Sequence, residues 1–445
     1  WRSSTFWREG TMLLVKGGRV IDPGSGRDEV GNVVIVDGKV ADFLPGGEAP
    51  ENFDGTVVDA AGKWVLPGLI DMHVHLRDPG FEWKEDIRSG TAAAAAGGFT
   101  SVVCMANTSP VNDHPEVTRY IREKAASEGR ANVFPVAALT RGQNGKEMTD
   151  FSELFDAGAI AFSDDGSPVR SALVLRRALE YAKAFDFLIL EHAEDHELSG
   201  EGAANEGWTA HRLGIPGIPS AAEEIAIARD ILLARFTGGR IHIQHISTKM
   251  GVDLLRMAKR AGIRVTGETA PHYFTLTDAA IDGYNTYAKM NPPLRGEEDR
   301  MAILEGIVDG TIDAIASDHA PHDEYTKRCE FVAASNGIIG LETALPLSMA
   351  LLAGGKVTPA RLVDLLSAIP ARILGLKGKG TLCKGADGDV TIVDPEAEWE
   401  FRESDVRSKS RNSPFFGWKM RGRAVAVLCR GRVTHSLMRE VTPDA

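Results

Sequence analysis

Eight apolar runs of strand length, each closed by a polar residue, set what this chain can fold into. They end at His75, Asn107, Thr140, Asp165, His192, His245, His272 and Asp318. Amphipathic or alanine-rich stretches lie between most of them, at residues 91–96, 115–126, 172–184, 221–234 and 253–261, and alanine is the best helix former. Strand–helix units repeated over residues 66–377 predict an α/β fold, a (β/α)8 TIM barrel, whose active sites sit at the C-terminal ends of the strands. A doubly wound sheet is the alternative, but it wants a topological switch point and usually a glycine-rich phosphate loop, and the sequence shows neither.

The flanks read differently. Val33-Val34-Ile35-Val36 and Lys39-Val40 surround Asp37-Gly38, a strong hairpin signal. Strand-and-turn character returns after Gly378, in the runs 386–394 and 424–433. Residues 12–65 and 378–445 are therefore expected to pair into a small flanking β-sandwich domain formed by both chain ends. Residues 1–11 lack the apolar stretch of a signal peptide and read as a disordered extension ahead of Met12.

The net charge of -12 over 445 residues argues against nucleic acid or an anionic membrane surface as the main partner. No run approaches the roughly 20 apolar residues that span a bilayer. Cys104, Cys329, Cys383 and Cys429 show no metal-like spacing, and reduced thiols in a cytoplasm are the default for such a set.

The run ends carry the chemistry. His73-Val74-His75 places two imidazoles two residues apart, on one face if the strand is regular. Taken alone, Asp164-Asp165-Gly166 reads as a turn and helix-capping element. His192 and His245 end the fifth and sixth runs, and His242, three residues earlier, is expected to be packed or to face the helices. Asp318 ends the eighth. Together these place four imidazoles and two carboxylates at one end of the barrel, a set suited to Zn²⁺ or another first-row divalent ion. Such an ion activates water at neutral pH, and Asp318 is placed to move the proton. Metal-assisted hydrolysis is the reaction class that follows.

The pattern Asp71-Met72-His73-Val74-His75, His192, His245 and Ser317-Asp318-His319-Ala320-Pro321-His322 resembles the cyclic-amide branch of the amidohydrolase superfamily. Within it, His75-Leu76-Arg77-Asp78-Pro79-Gly80, Met105-Ala106-Asn107-Thr108, Phe162-Ser163-Asp164-Asp165-Gly166, Met290-Asn291-Pro292-Pro293-Leu294-Arg295 and Lys409-Ser410-Arg411-Asn412-Ser413-Pro414 resemble class I dihydroorotase, over nearly all of the chain from Met12. The resemblance implies interconversion of (S)-dihydroorotate and N-carbamoyl-L-aspartate in pyrimidine biosynthesis. It implies one or two Zn²⁺ held by His73, His75, Asp165, His192, His245 and Asp318, with Asp318 as the catalytic acid–base group. Substrate contacts are implied for His75, Arg77, Asn107, Asn291, His322, Asn336 and Gly337. Arg77 offers a planar fork for a carboxylate.

Many relatives bridge two metals with a carboxylated lysine at the fourth strand, where this chain has Asp165. That departure favours dihydroorotase over hydantoinase, dihydropyrimidinase or allantoinase. His272 has no ligand counterpart and reads as structural, as do His114, His196, His211, His319 and His435. The polar segment from His322 to Asn336 is expected to close over substrate. A homodimer and pairing with an aspartate transcarbamoylase are further expectations. A catalytically silent scaffold for that enzyme is the non-enzymatic alternative, disfavoured because every ligand is present.

Overall fold

The structure is a computed structural model that describes residues 12–46 and 53–438. The extension expected at residues 1–11 lies outside the described residues. Eight parallel strands form the barrel: β1 (Leu69–Val74), β2 (Phe99–Cys104), β3 (Asn132–Ala137), β4 (Ala161–Phe162), β5 (Leu188–Glu191), β6 (Arg240–Ile243), β7 (Val265–Thr269) and β8 (Ala314–Ile315). Each pairs with the next in sequence, and a parallel bridge between Val74 and His319 joins the last to the first. The fold is the expected (β/α)8 barrel.

Both faces of the strands are apolar, as a parallel barrel wrapped in helices requires. Ile70, Met72, Val103, Val136, Ala161, Leu188, Leu190 and Ala314 come from strands around the ring and form one buried cluster. A second, larger cluster lies against the helices and includes Val102, Phe151, Phe162, Leu175, Leu179, Ile189 and Ile241. The helices Ile87–Gly97, Pro115–Glu128, Ala172–Phe185, Ser220–Thr237 and Lys249–Arg260 fall where the sequence places them, each longer than expected. Capping explains part of the difference. The Asp86 carboxylate accepts the Ser89 N–H and starts the first helix four residues early, and Gly98, at φ 99°, ends it.

The chain ends build one eight-stranded sheet, in the order Arg432–Ser436, Lys419–Cys429, Val390–Glu400, Trp64–Pro67, Met12–Asp22, Arg27–Val36, Lys39–Pro45, with Thr56–Asp59 beside Met12–Asp22. Its pairs are antiparallel except those of Met12–Asp22 with Thr56–Asp59 and Trp64–Pro67. Val36 pairs with Lys39, and Asp37 and Gly38 turn at φ 50° and 72°, the two positive angles that a tight hairpin demands. The two flanks meet, the Gly388 N–H donating to the Gly38 carbonyl at 2.7 Å. They enclose Val15, Val33, Ile35, Val390, Ile392, Ala426 and Leu428.

The ring of Phe151 is fully buried and stacked on Phe162, centroids 4.0 Å apart. Phe151→Ala should destabilise the chain by about 3–5 kcal/mol. Urea unfolding checks this, and a loss below about 1 kcal/mol would mean that the site collapses without a cavity.

Candidate metal and substrate site

The expected ligands do not sit on the strands. All but His73 lie one to three residues past the strand ends, on turns that the sequence reading had counted as strand. The cause is local backbone. Arg77, His245 and Asp318 take φ values of 60°, 34° and 49°, and each redirects the chain where alternation would have carried a side chain elsewhere. In β1 the register with β2 slips between Asp71 and Val74.

These turns bring the side chains together. His73, His75 and Asp165 place one ligand atom each within 4.8 Å of one another, and so do Asp165, His192 and His245. Asp165 belongs to both sets. Its Oδ1 lies 3.4 Å from His73 Nε2, 3.4 Å from His192 Nδ1 and 3.6 Å from His245 Nε2, and its Oδ2 lies 3.5 Å from His75 Nε2. Asp318 Oδ1 stands beside the first set, 3.3 Å from His75 Nε2 and 3.6 Å from His73 Nε2. His73 Nε2, His245 Nε2 and Asp165 Oδ1 are buried without a hydrogen-bond partner among the described residues. Unpartnered buried nitrogens and carboxylate oxygens at this spacing fit a divalent metal ion.

A surrounding layer fixes the imidazoles. His73 Nδ1 faces Glu268 Oε1 at 3.1 Å, so its Nε2 is turned toward Asp165. His75 Nδ1 lies 2.9 Å from the Asn107 side-chain carbonyl. His192 Nε2 lies 3.1 Å from Glu194 Oε2, which also accepts from Asn291 Nδ2 at 2.9 Å. Asp164 accepts the Leu139 and Thr140 N–H groups at 2.9 and 3.0 Å, which fixes the turn that carries Asp165. Its cap-like role was legible alone; what it supports was not.

Three supporting residues lie outside the expected set: Glu268, Glu194 and Gln244. Glu268 is buried in strand β7, where an uncompensated carboxylate would be costly, but its neighbours Thr266, Gly267 and Thr269 are not apolar, so no local signal marks it. It holds His73 on one oxygen and His242 Nε2 on the other at 3.2 Å. His242 is thus packed as expected, but toward the site and not toward the helices. Gln244 Nε2 lies 3.1 Å from His73 Nδ1.

Electrostatics follow from this packing. Burial pushes the Asp165 carboxyl up, but His73, His192 and His245 outweigh burial and hold it well below the usual range. Burial likewise opposes ionisation of Asp318, yet His73 and His75 keep its pKa depressed. Glu268 is pulled down to about 2, as His242 and His73 overcome its burial. These carboxylates are therefore anionic at neutral pH, as ligands and a general base must be.

Arg77 and His322 meet on the far side of His75. The Arg77 Nη2 donates to His322 Nε2 at 3.3 Å, and its Nε donates to the Pro321 carbonyl at 3.2 Å. Burial, then Arg77, lowers the His322 pKa to about 2. A neutral ring that accepts at Nε2 carries its proton on Nδ1, and Nδ1 is a buried donor without an acceptor. Asn107, its carbonyl engaged by His75, keeps its amide nitrogen as a donor. Asn336 is exposed. The Gly337 N–H donates to the Lys289 carbonyl at 2.9 Å, and its carbonyl accepts from Asn412 and Lys327, so these backbone groups are already engaged. His272 is buried in the turn of helix Pro271–Thr275, and burial lowers its pKa to about 4. The segment after His322 is anchored and not free: Lys327 is fully buried and donates to the carbonyls of Lys289, Ser335 and Gly337.

Glu268→Gln should weaken metal binding by about 10–100-fold, the usual effect of losing a carboxylate behind a ligating imidazole. Competition with a chelator measures it; an unchanged midpoint would remove Glu268 from the site's support.

A family model described as dihydro-orotase-like matches residues 62–251. A dihydroorotase of Geotalea daltonii is 55% identical over 423 residues, covering 95% of this chain and 99% of that protein. One from Syntrophotalea carbinolica is 51% identical over 425 residues, covering 96% and 99%. Among solved structures, an L-hydantoinase (dihydropyrimidinase) from Arthrobacter aurescens superposes with a TM-score of 0.87 at 26% identity, covering 98% of each chain. A dihydropyrimidinase from Brevibacillus agri, at 24% identity, TM-score 0.82 and 95% coverage of each chain, shares the fold. Matched over 95% of its length by a dihydroorotase at 55% identity, the chain belongs to the dihydroorotase family.

Proposed function

We propose that this chain hydrolyses the ring amide of (S)-dihydroorotate to N-carbamoyl-L-aspartate and catalyses the reverse closure, with two Zn²⁺ ions sharing Asp165. The carrying observation is that Asp165 belongs to both three-residue sets of donor atoms. His73, His75 and Asp165 would hold one ion, and Asp165, His192 and His245 the other. Bound there, zinc would lower the pKa of a water and polarise the amide carbonyl.

The chain's own groups do the rest. Arg77, Asn107 and His322 bind the substrate carboxylate, so binding energy remote from the scissile bond orients the ring. Arg77 brings a planar fork, and His322 Nδ1 brings a donor that lacks an acceptor. Asn291, tied to Glu194, is assigned to the ring; Gly337, whose N–H and carbonyl are engaged within the chain, is assigned only to shaping that edge of the site. Asp318, ionised and against His75, takes the proton of the attacking water. As the carbon–nitrogen bond breaks, Asp318 returns that proton to the departing ring nitrogen. In closure the same carboxyl moves the proton the other way.

The remaining expectations join this reading. Residues 12–65 and 378–445 are assigned to one β unit and residues 66–377 to the catalytic barrel. A homodimer, docking to an aspartate transcarbamoylase and a cytoplasmic location are also proposed. No helix among the described residues is long and apolar enough to cross a membrane. A hydantoin or allantoin substrate is not favoured, since neither gives the Arg77–Asn107–His322 group a carboxylate to hold.

Purified, zinc-loaded protein should consume L-dihydroorotate in an ultraviolet assay and leave hydantoin and allantoin largely untouched. Asp318→Ala should lower kcat by about 10²–10⁴-fold, the usual scale for losing a general acid–base group. Turnover of hydantoin above dihydroorotate, or an Asp318→Ala variant with full activity, would overturn the reading.

A further inference from the structure

We propose that Asn412 is a positioning residue for the carboxylate end of the substrate, clamping the His322 segment to the Gly337 segment from the C-terminal β unit. The inference rests on the assignment of His322 given above. Asn412 belongs to the string Lys409-Ser410-Arg411-Asn412-Ser413-Pro414, which no metal or substrate role absorbs. It lies in the long connection between the paired strands Val390–Glu400 and Lys419–Cys429.

The Asn412 side chain is 1% exposed and works at both ends. Its Oδ1 accepts the His322 N–H at 3.1 Å. Its Nδ2 donates to the carbonyls of Ala320 and Gly337, each at 3.0 Å. Its own carbonyl accepts the Ile339 N–H at 2.9 Å. A buried amide with both hydrogens committed and both segments attached is specific in shape; no other side chain of its length offers one acceptor and two donors.

The connection that carries Asn412 is itself tied to the loop after β1. The Lys409 N–H donates to Glu85 Oε1 at 3.2 Å, Ser408 Oγ donates to the other Glu85 oxygen, and Ser410 Oγ donates to the Lys84 carbonyl at 2.7 Å. That loop begins with Arg77. Arg77 in turn donates to the Pro321 carbonyl, between the two residues that Asn412 grips. Arg77 and His322 therefore owe their mutual placement to one frame, and Asn412 is its corner.

The metal end is held by other means. Asp71 accepts the N–H groups of Ser317 and His73, both at distances of 3.0–3.2 Å. Loss of the Asn412 side chain should therefore loosen carboxylate binding and leave the ligands and Asp318 in place.

The test is steady-state kinetics on the zinc-loaded full chain, with Asn412→Ser, His322→Ala and the double variant. Asn412→Ser is expected to raise KM for dihydroorotate by about tenfold or more, with kcat within about threefold. Metal content should match that of the unaltered chain. On the His322→Ala background the same change should add less than about twofold in KM, since residues acting as one unit are not additive. Asn412→Asp keeps the size and the acceptor for the His322 N–H but loses both donors, and it should also raise KM. It serves if Asn412→Ser does not fold. An unchanged KM in both Asn412 variants, beside a raised KM for His322→Ala, overturns the role of Asn412 alone. A fully multiplicative double variant also overturns it. A His322→Ala variant with ordinary KM overturns the His322 assignment and, with it, the route by which Asn412 acts. A fall in kcat and metal content without a change in KM would make Asn412 a merely structural residue.

Discussion

The Asp165 carboxylate, sunk at the mouth of the barrel with His73, His75, His192 and His245 around it, is the interaction on which the site depends. A lone carboxylate at that depth would face a desolvation cost of several kcal/mol. Here four rings converge on it, and unpartnered ring nitrogens and its own Oδ1 point inward together. Imidazoles must be neutral to ligate a metal, so as ligands they would leave the carboxylate charge to the cations. Divalent cations at the two sets would neutralise that charge and satisfy those atoms at once. Asp164 fixes the turn that carries Asp165 by accepting the Leu139 and Thr140 N–H groups.

Support for this centre comes from every side of the barrel. Glu268 from β7 orients His73, Asn107 after β2 orients His75, and Glu194 after β5 orients His192. The C-terminal β unit contributes too, through the connection that reaches across to Glu85, His322 and Gly337. Barrel and flanking sheet meet along a broad seam, as where Asn132 Nδ2 donates to Asp389 at 3.0 Å, and one of their meeting points is the end where Arg77 and His322 lie. The barrel supplies the side chains gathered around Asp165; the frame that holds Arg77 and His322 draws on both.

Much of this was legible in the chain itself. Repeated strand-like runs mark the barrel because strands buried on both faces are largely apolar, and helical stretches follow most of them. Asp37-Gly38 marks its hairpin because only a short list of residues tolerates two positive φ angles. That His73, His75, Asp165, His192, His245 and Asp318 come together was legible because polar residues closing successive barrel runs must gather at one end. Strand limits were not, since Asp165, His245 and Asp318 are polar ends of turns and differ from strand residues only in backbone angle. Glu268 and Asn412 were hidden for a different reason. Their importance lies in partners 195 residues away in one case, His73, and 90 residues away in the other, His322. Nothing local in sequence distinguishes a buried glutamate behind a ligand from one in an ordinary ion pair. The segment after His322 looked free because it is polar, yet the ammonium of Lys327 is directed inward onto three backbone carbonyls.

The most direct measurement of the central claim is zinc-edge anomalous diffraction from crystals of the metal-loaded chain. Two peaks, each within about 2.0–2.2 Å of an Asp165 oxygen as zinc–carboxylate bonds require, are the predicted result. One peak, or two of which Asp165 touches fewer than both, would contradict the account.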